Sequence, residues 1–133
     1  MFKIIENKLA IESIEAFSYH VLNEGGHQTG IVTDDSWFVV DVRDLYDDDS
    51  NPLEDYEKKI DLTWDLIQKH GKAVICCVAG ISRSNAIALG VLVKYFKMDF
   101  DEAWALIRKK VPDSNIRPGH ISQLRKLFNA TLH

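Results

Sequence analysis

The sequence predicts an α/β fold, a small central mixed or parallel sheet flanked by helices, and three observations carry that expectation. Strand-like apolar runs come early in the chain and helix-like periodicities follow them. A short, nearly unbroken apolar run, KAVICCV at 72–78, then falls between two of the helical segments. Such a run suits a strand buried on both faces, the place that a parallel sheet covered by helices provides. Finally, 46% of the 133 residues are hydrophobic, with six Phe and three Trp, enough apolar material for a substantial core. No repeat, low-complexity tract or linker divides the chain, so one domain over 1–133 is expected.

Taken in order, the short apolar runs at 2–5 and 9–11 suit strands, and 36–42 (SWFVVDV), aromatic and β-branched, is a stronger one. Between them 23–35 (NEGGHQTGIVTDD) is rich in Gly and polar residues and is expected to be a loop. Leu53, Tyr56, Ile60, Trp64 and Ile67 recur three and four apart, which predicts an amphipathic helix over 53–70 stopped by Gly71. After the strand at 72–78, residues 84–96 are apolar almost all round and predict a central, buried helix. Asp99 and Glu102 form a D-x-x-E start signal for a helix through Lys110 that turns Phe100, Ala103, Trp104 and Ile107 inward, and Pro112 ends it. A last helix from about Gly119 carries Ile121, Leu124 and Phe128 inward.

Composition excludes several functions. Sixteen Lys and Arg face 20 Asp and Glu, a net charge of −4, so a surface built for nucleic acid or anionic membrane is not expected. No apolar run reaches membrane-spanning length and no secretory leader pattern opens the chain, which makes a cytoplasmic location the expectation. The cysteines, Cys76 and Cys77, are adjacent; adjacent strand residues point to opposite faces, so a disulfide is not expected and a reducing compartment is the natural setting. The five histidines are scattered without H-x-H or H-x-x-x-H pairs, so no metal site is expected and solvent or loop roles are preferred for them. Trp37, Trp64 and Trp104 sit at core-packing positions, and Arg108, Lys109 and Lys110 complement the end of a helix dipole.

The stretch CCVAGISRSNAIA at 76–88 joins the buried strand to the buried helix. Ligands of open α/β sheets bind beyond the carboxyl ends of strands, where a helix N-terminus offers unpaired N–H groups and the positive end of its dipole. Cys77 stands at the strand end and Gly80 permits unusual backbone angles. Arg83 enters the first helical turn, where its fork can grip two oxygens of one phosphate. The loop is therefore a candidate anion cradle with a thiol at its floor. Those donors favour negative charge on sulfur, and a thiolate facing phosphate is a nucleophile. Ser84 is placed to donate a hydrogen bond to that sulfur.

Cys77-Val78-Ala79-Gly80-Ile81-Ser82-Arg83-Ser84 resembles the C-x5-R-[ST] signature loop of cysteine-based protein phosphatases, and its A-G-x-S-R-S wording resembles the dual-specificity branch. LAIES at 9–13 is similar to the family's opening strand. The resemblance implies a cysteine-phosphatase-like fold and a phosphate loop in which Val78, Ala79, Gly80, Ile81, Ser82 and Arg83 bind phosphate. It implies attack by Cys77 to form a phosphocysteine, transition-state stabilisation by Arg83, and an upstream aspartate that protonates the leaving oxygen and later activates water. No metal and no cofactor are implied. Asp44, Asp47, Asp48 and Asp49 all lie near the family's spacing for that acid. Asp47 fits the distance to Leu53 and Tyr56 and is the first choice, whereas Asp44 better fits the end of the strand. Asn115 is similar to a polar residue that supports the loop in relatives. The family usually has His where Cys76 stands, and Cys76 is better assigned to the core than to a resolving-thiol role.

The implied activity is hydrolysis of phosphotyrosine, with phosphoserine and phosphothreonine within reach of a shallow site. Val78, Ala79 and Ile81 are uncharged, unlike the Lys and His that a polyanion such as an inositol phosphate calls for, which makes a phosphorylated protein the expected partner. Nothing fixes the oligomeric state, and a monomer is the expectation. The alternative is a module that captures phosphorylated proteins without turnover, motivated by Cys76 and by the choice of acids. An RNA 5′-phosphatase or arsenate reductase on the same cradle fits less well, given the acidic charge and the poor placement of Cys76 as a second thiol.

Overall fold

The computed structural model describes residues 1–13, 32–33, 35–79 and 81–131. Its strands are β1 (Phe2–Ile5), β2 (Leu9–Ser13), β3 (Phe38–Asp41) and β4 (Ala73–Cys77), and its helices α1 (Leu53–His70), α2 (Arg83–Lys94), α3 (Phe100–Lys110) and α4 (Pro118–Thr131). Most of the expected loop at 23–35, and Gly80 of the expected cradle, lie outside the described residues.

The sheet is mixed, in the order β1-β2-β4-β3. β4 runs parallel to both β2 and β3, and β1 adds an antiparallel edge to β2. All five residues of β4 are buried, as an unbroken apolar run in a central parallel strand requires. Its side chains alternate. Ala73, Ile75 and Cys77 join the main core with residues of all four helices, while Val74 and Cys76 join Ala10, Trp37 and Val39 on the opposite face. This alternation separates the two neighbouring thiols: Cys76 is fully buried, with its Sγ 3.6 Å from the Val40 carbonyl, and burial pushes its thiol well above the usual range.

α2 is buried continuously from Ser84 to Leu92, the outcome of its all-round apolar sequence. It ends at Lys94, two residues short of the expected boundary. There Tyr95 stacks on Trp64 at a 4.8 Å centroid distance, and Asp61 of α1 accepts from Lys94 Nζ at 2.7 Å and from the Tyr95 hydroxyl at 2.5 Å. The α3 start signal forms only in part: the Asp99 carboxylate accepts from Asp101 N at 3.2 Å. Within α3, Ala103 and Ile107 are buried and Phe100 and Trp104 half-buried. Among the described residues no helix is long and apolar enough to cross a membrane.

α1 and α2 approach closely at Gly90. A Cβ there would stand 2.2 Å from Ile60 Cδ1 and 2.7 Å from its Cγ1. Alanine is favoured over glycine in a helix by about 1 kcal/mol, but overpacking a filled core costs ~1–3 kcal/mol. Ile60 is fully buried and has little room to retreat. Gly90→Ala is therefore expected to lower the urea midpoint, and Ile60→Val in that background to recover part of the loss. A higher midpoint in Gly90→Ala alone would refute the tight-contact account.

Candidate active site

β4 ends in Cys77 at the carboxyl end of the parallel strands, and the chain then turns into α2 at Arg83. Cys77 Sγ lies 3.3 Å from Ser84 Oγ. Asn85 Nδ2 donates to the same Ser84 oxygen at 3.2 Å, so the hydroxyl beside the sulfur is itself held in place. Two segments hold the loop from outside: Ser13 Oγ donates to the Val78 carbonyl and Asn115 N to the Ile81 carbonyl, each at 2.8 Å. Peptide planarity turns the following N–H groups, those of Ala79 and Ser82, the opposite way from those carbonyls. A cavity of about 300 Å³ opens over Cys77, walled by Val78, Ala79, Ile81, Ser82 and Arg83 of the loop and by Asp47, Asn115, Arg117 and Pro118.

Of the four candidate aspartates, Asp47 is the one in this wall. Its Oδ1 accepts from Ser82 Oγ at 2.7 Å and from His120 Nε2 at 2.8 Å, and its Oδ2 from Arg117 Nε at 2.8 Å. Burial raises the Asp47 carboxyl, but the hydrogen bonds from Arg117, Ser82 and His120 more than offset this and hold it down to about 2. Asp44 is not in the site. It pairs with Lys59 Nζ at 3.1 Å, on a separate surface beside Leu45, Lys58 and Leu62, because the tight turn after β3 points it away from Cys77. Asp48 accepts from Ser50 N at 2.8 Å, and Asp49 is exposed.

The loop at 42–52, called the acid loop for the acid expected at Asp47, and the expected phosphate loop after β4 hold each other. Arg83 Nη1 donates to the carbonyls of Arg43 at 3.0 Å and Leu45 at 2.9 Å, which among the described residues leaves the Nε–Nη2 edge of the fork for a ligand. Asp41, expected inside its strand, is fully buried and gripped by Arg43, whose Nη2 is 2.6 Å from its Oδ2. At the start of α4, Gly119 lies flush with the acid loop; a Cβ there would be 2.8 Å from Asp49 N.

Sequence reasoning missed Arg117 and His120. The scattered spacing of the histidines predicts a loop or solvent role for His120, yet it is fully buried, with Nε2 on Asp47 and Nδ1 2.7 Å from the Tyr56 hydroxyl. The helical periodicity marks Tyr56 only as an apolar position. The one available signal is R-P-G-H at 117–120, an Arg and a His on either side of a proline-led helix start.

A profile of the family described as "Dual specificity phosphatase, catalytic domain" matches residues 7–130. The chain belongs to this family. It is 39% identical over 59 residues, 44% of its length, to MAP kinase phosphatase with leucine-rich repeats protein 3 of Dictyostelium discoideum, and spans 7% of that protein. It is 37% identical over 60 residues, 45% of its length, to Dual specificity protein phosphatase 1B of Arabidopsis thaliana, and spans 36% of it. A crystal structure of a human DUSP28 variant superposes with a TM-score of 0.75 at 18% identity, covering 97% of this chain and 94% of that one. The human tyrosine phosphatase-like serine/threonine/tyrosine-interacting protein superposes at 0.61 with 24% identity, over 66% of this chain and 59% of that one.

A carboxyl lowered in the folded state contributes stability that is complete above the unfolded value of ~3.9 and is lost as pH falls through the folded value. For Asp47 that window runs from about 4 down to about 2. Arg117→Gln removes the strongest donor, so the Asp47 carboxyl ¹³C titration should move up toward 3.9 and acid unfolding should begin at higher pH. An unmoved midpoint would show that Arg117 does not hold the carboxylate.

Proposed function

We propose that the protein is a protein phosphatase that hydrolyses phosphotyrosine, and also phosphoserine and phosphothreonine, through a phosphocysteine. The observation that carries this reading is the cavity in which Cys77, Arg83 and Asp47 meet. Cys77 Sγ attacks phosphorus while the bond to the leaving oxygen breaks, and Asp47 gives that oxygen its proton. The loop N–H groups and the Arg83 fork hold the phosphoryl oxygens as charge redistributes. Water then attacks the phosphocysteine, the Asp47 carboxylate takes its proton, and the Ser84 hydroxyl stabilises the departing thiolate. No metal enters this scheme.

The carboxylate form of Asp47 suits the second step. For the first step it must carry a proton, and a bound phosphate dianion promotes this by competing for Arg117 and by like-charge repulsion. A protein side chain as substrate is supported by the uncharged loop, by exposed apolar surface at Val78 in the wall and Tyr46 beside Asp47, and by relatives named as protein phosphatases. A monomer acting alone is sufficient for it. One observation favours a second reading, capture of phosphorylated proteins without turnover: Asp47 is held as a carboxylate by three donors.

Phosphate release from p-nitrophenyl phosphate and phenyl phosphate, with EDTA present, separates the readings. Wild type is expected to turn over both, and Cys77→Ser neither. Asp47→Asn should lose about 100-fold on phenyl phosphate, the poor leaving group, and far less on the nitrophenyl ester. Asp44→Asn should stay within about twofold of wild type on both. Tight phosphopeptide binding by an inactive wild type would favour capture.

A further inference from the structure

We infer that His120, held in one tautomer by Tyr56 and Asn51, is a positioning residue that sets the orientation of the Asp47 carboxyl. The inference rests on the assignment of Asp47 as the acid, and its argument is one of forced donors and acceptors. Tyr46 N–H needs an acceptor and takes Asn51 Oδ1 at 2.9 Å, while the Tyr46 carbonyl needs a donor and takes Asn51 Nδ2 at 2.7 Å. The backbone thus fixes which way the Asn51 amide points. Its Nδ2, a donor only, also meets the Tyr56 hydroxyl oxygen at 3.3 Å. That contact directs the Tyr56 proton away from Asn51 and onto His120 Nδ1, 2.7 Å distant. Nδ1 is then an acceptor, the ring proton resides on Nε2, and Nε2 donates to Asp47 Oδ1 at 2.8 Å.

Burial makes the chain exacting. Tyr56 and His120 are fully buried and Asn51 nearly so, so water cannot replace a missing partner without rearrangement. Burial also raises the Tyr56 hydroxyl, which keeps it a phenol able to donate. With His120 taking Oδ1, the other carboxyl oxygen faces Arg117 at the cavity wall, where a leaving oxygen arrives. Were the imidazole in its other tautomer, a lone pair would face Asp47 and turn the carboxyl aside. The relay begins in the acid loop, at Tyr46, and ends in it, at Asp47, so the loop's own backbone dictates how its carboxylate is held.

The test uses Tyr56→Phe, which deletes one oxygen and keeps the buried ring, so folding should survive. In wild type the side-chain ¹⁵N spectrum should show His120 protonated at Nε2 and bare at Nδ1. Tyr56→Phe should mix the tautomers and raise the Asp47 carboxyl titration. On phenyl phosphate it should cost about tenfold, on p-nitrophenyl phosphate under about twofold, and nothing in an Asp47→Asn background. His120→Gln, which can still donate to Asp47, should retain more phenyl phosphate activity than His120→Leu. Equal slowing of both esters, further slowing in Asp47→Asn, or Nδ1 protonation in wild type would overturn the inference. If Asp47→Asn itself shows no preference between esters, the acid assignment fails instead. The tautomer and the Asp47 titration then still decide whether the relay orients the carboxyl.

Discussion

The site depends on one carboxylate. Asp47 is where three segments distant in sequence meet: its oxygens take hydrogen bonds from Ser82 of the phosphate loop and from Arg117 and His120 at the start of α4. Arg83 returns the connection by donating to the backbone at Arg43 and Leu45. These bonds tie the two loops to each other across the site. Charge-assisted bonds of this kind are stronger than neutral ones and are directional, which is what a small site built on loops needs.

The rest of the fold presents the partners of that carboxylate. β4, paired on both sides, fixes where Cys77 ends. The buried helix α2 fixes Arg83 and Ser84, and Gly90 lets α1 come close enough to set Tyr56 within reach of α4. Burying a Leu, Ile or Val contributes ~1.5–3 kcal/mol each, so it is the shared core that holds these backbone positions. The polar contacts select among side-chain orientations within it.

What was legible in the sequence follows the same division. The strand, loop and helix around Cys77 are contiguous, and their pattern is local: an unbroken apolar run, a small-residue turn, an apolar helix. The resemblance of 77–84 to a phosphatase loop therefore carried both the fold and the floor of the site. Asp47 and Asp44 differ by three residues in an acidic turn, and no periodicity separates them; only the path of the chain after β3, with Lys59 drawing Asp44 away, does so. His120 lies 73 residues from Asp47 and was invisible to spacing. Tyr56 was visible, but its ring satisfied the helical pattern and concealed the role of its hydroxyl.

The donors that place Asp47 also oppose its protonation, and this tension gives the geometry its chemical sense. A carboxyl without partners would hold a proton more readily but would lack the defined direction that the proposed role as acid requires. Three donors provide direction at the expense of a depressed pKa. They are not equivalent. Ser82 and His120 are buried and bind Oδ1, whereas Arg117 is largely exposed and binds Oδ2. In the proposed mechanism an arriving phosphate dianion draws Arg117 off while the buried pair stays in place. The two donors on Oδ1 stay buried whichever way Arg117 turns, so the aim of Asp47 does not depend on the exposed donor alone.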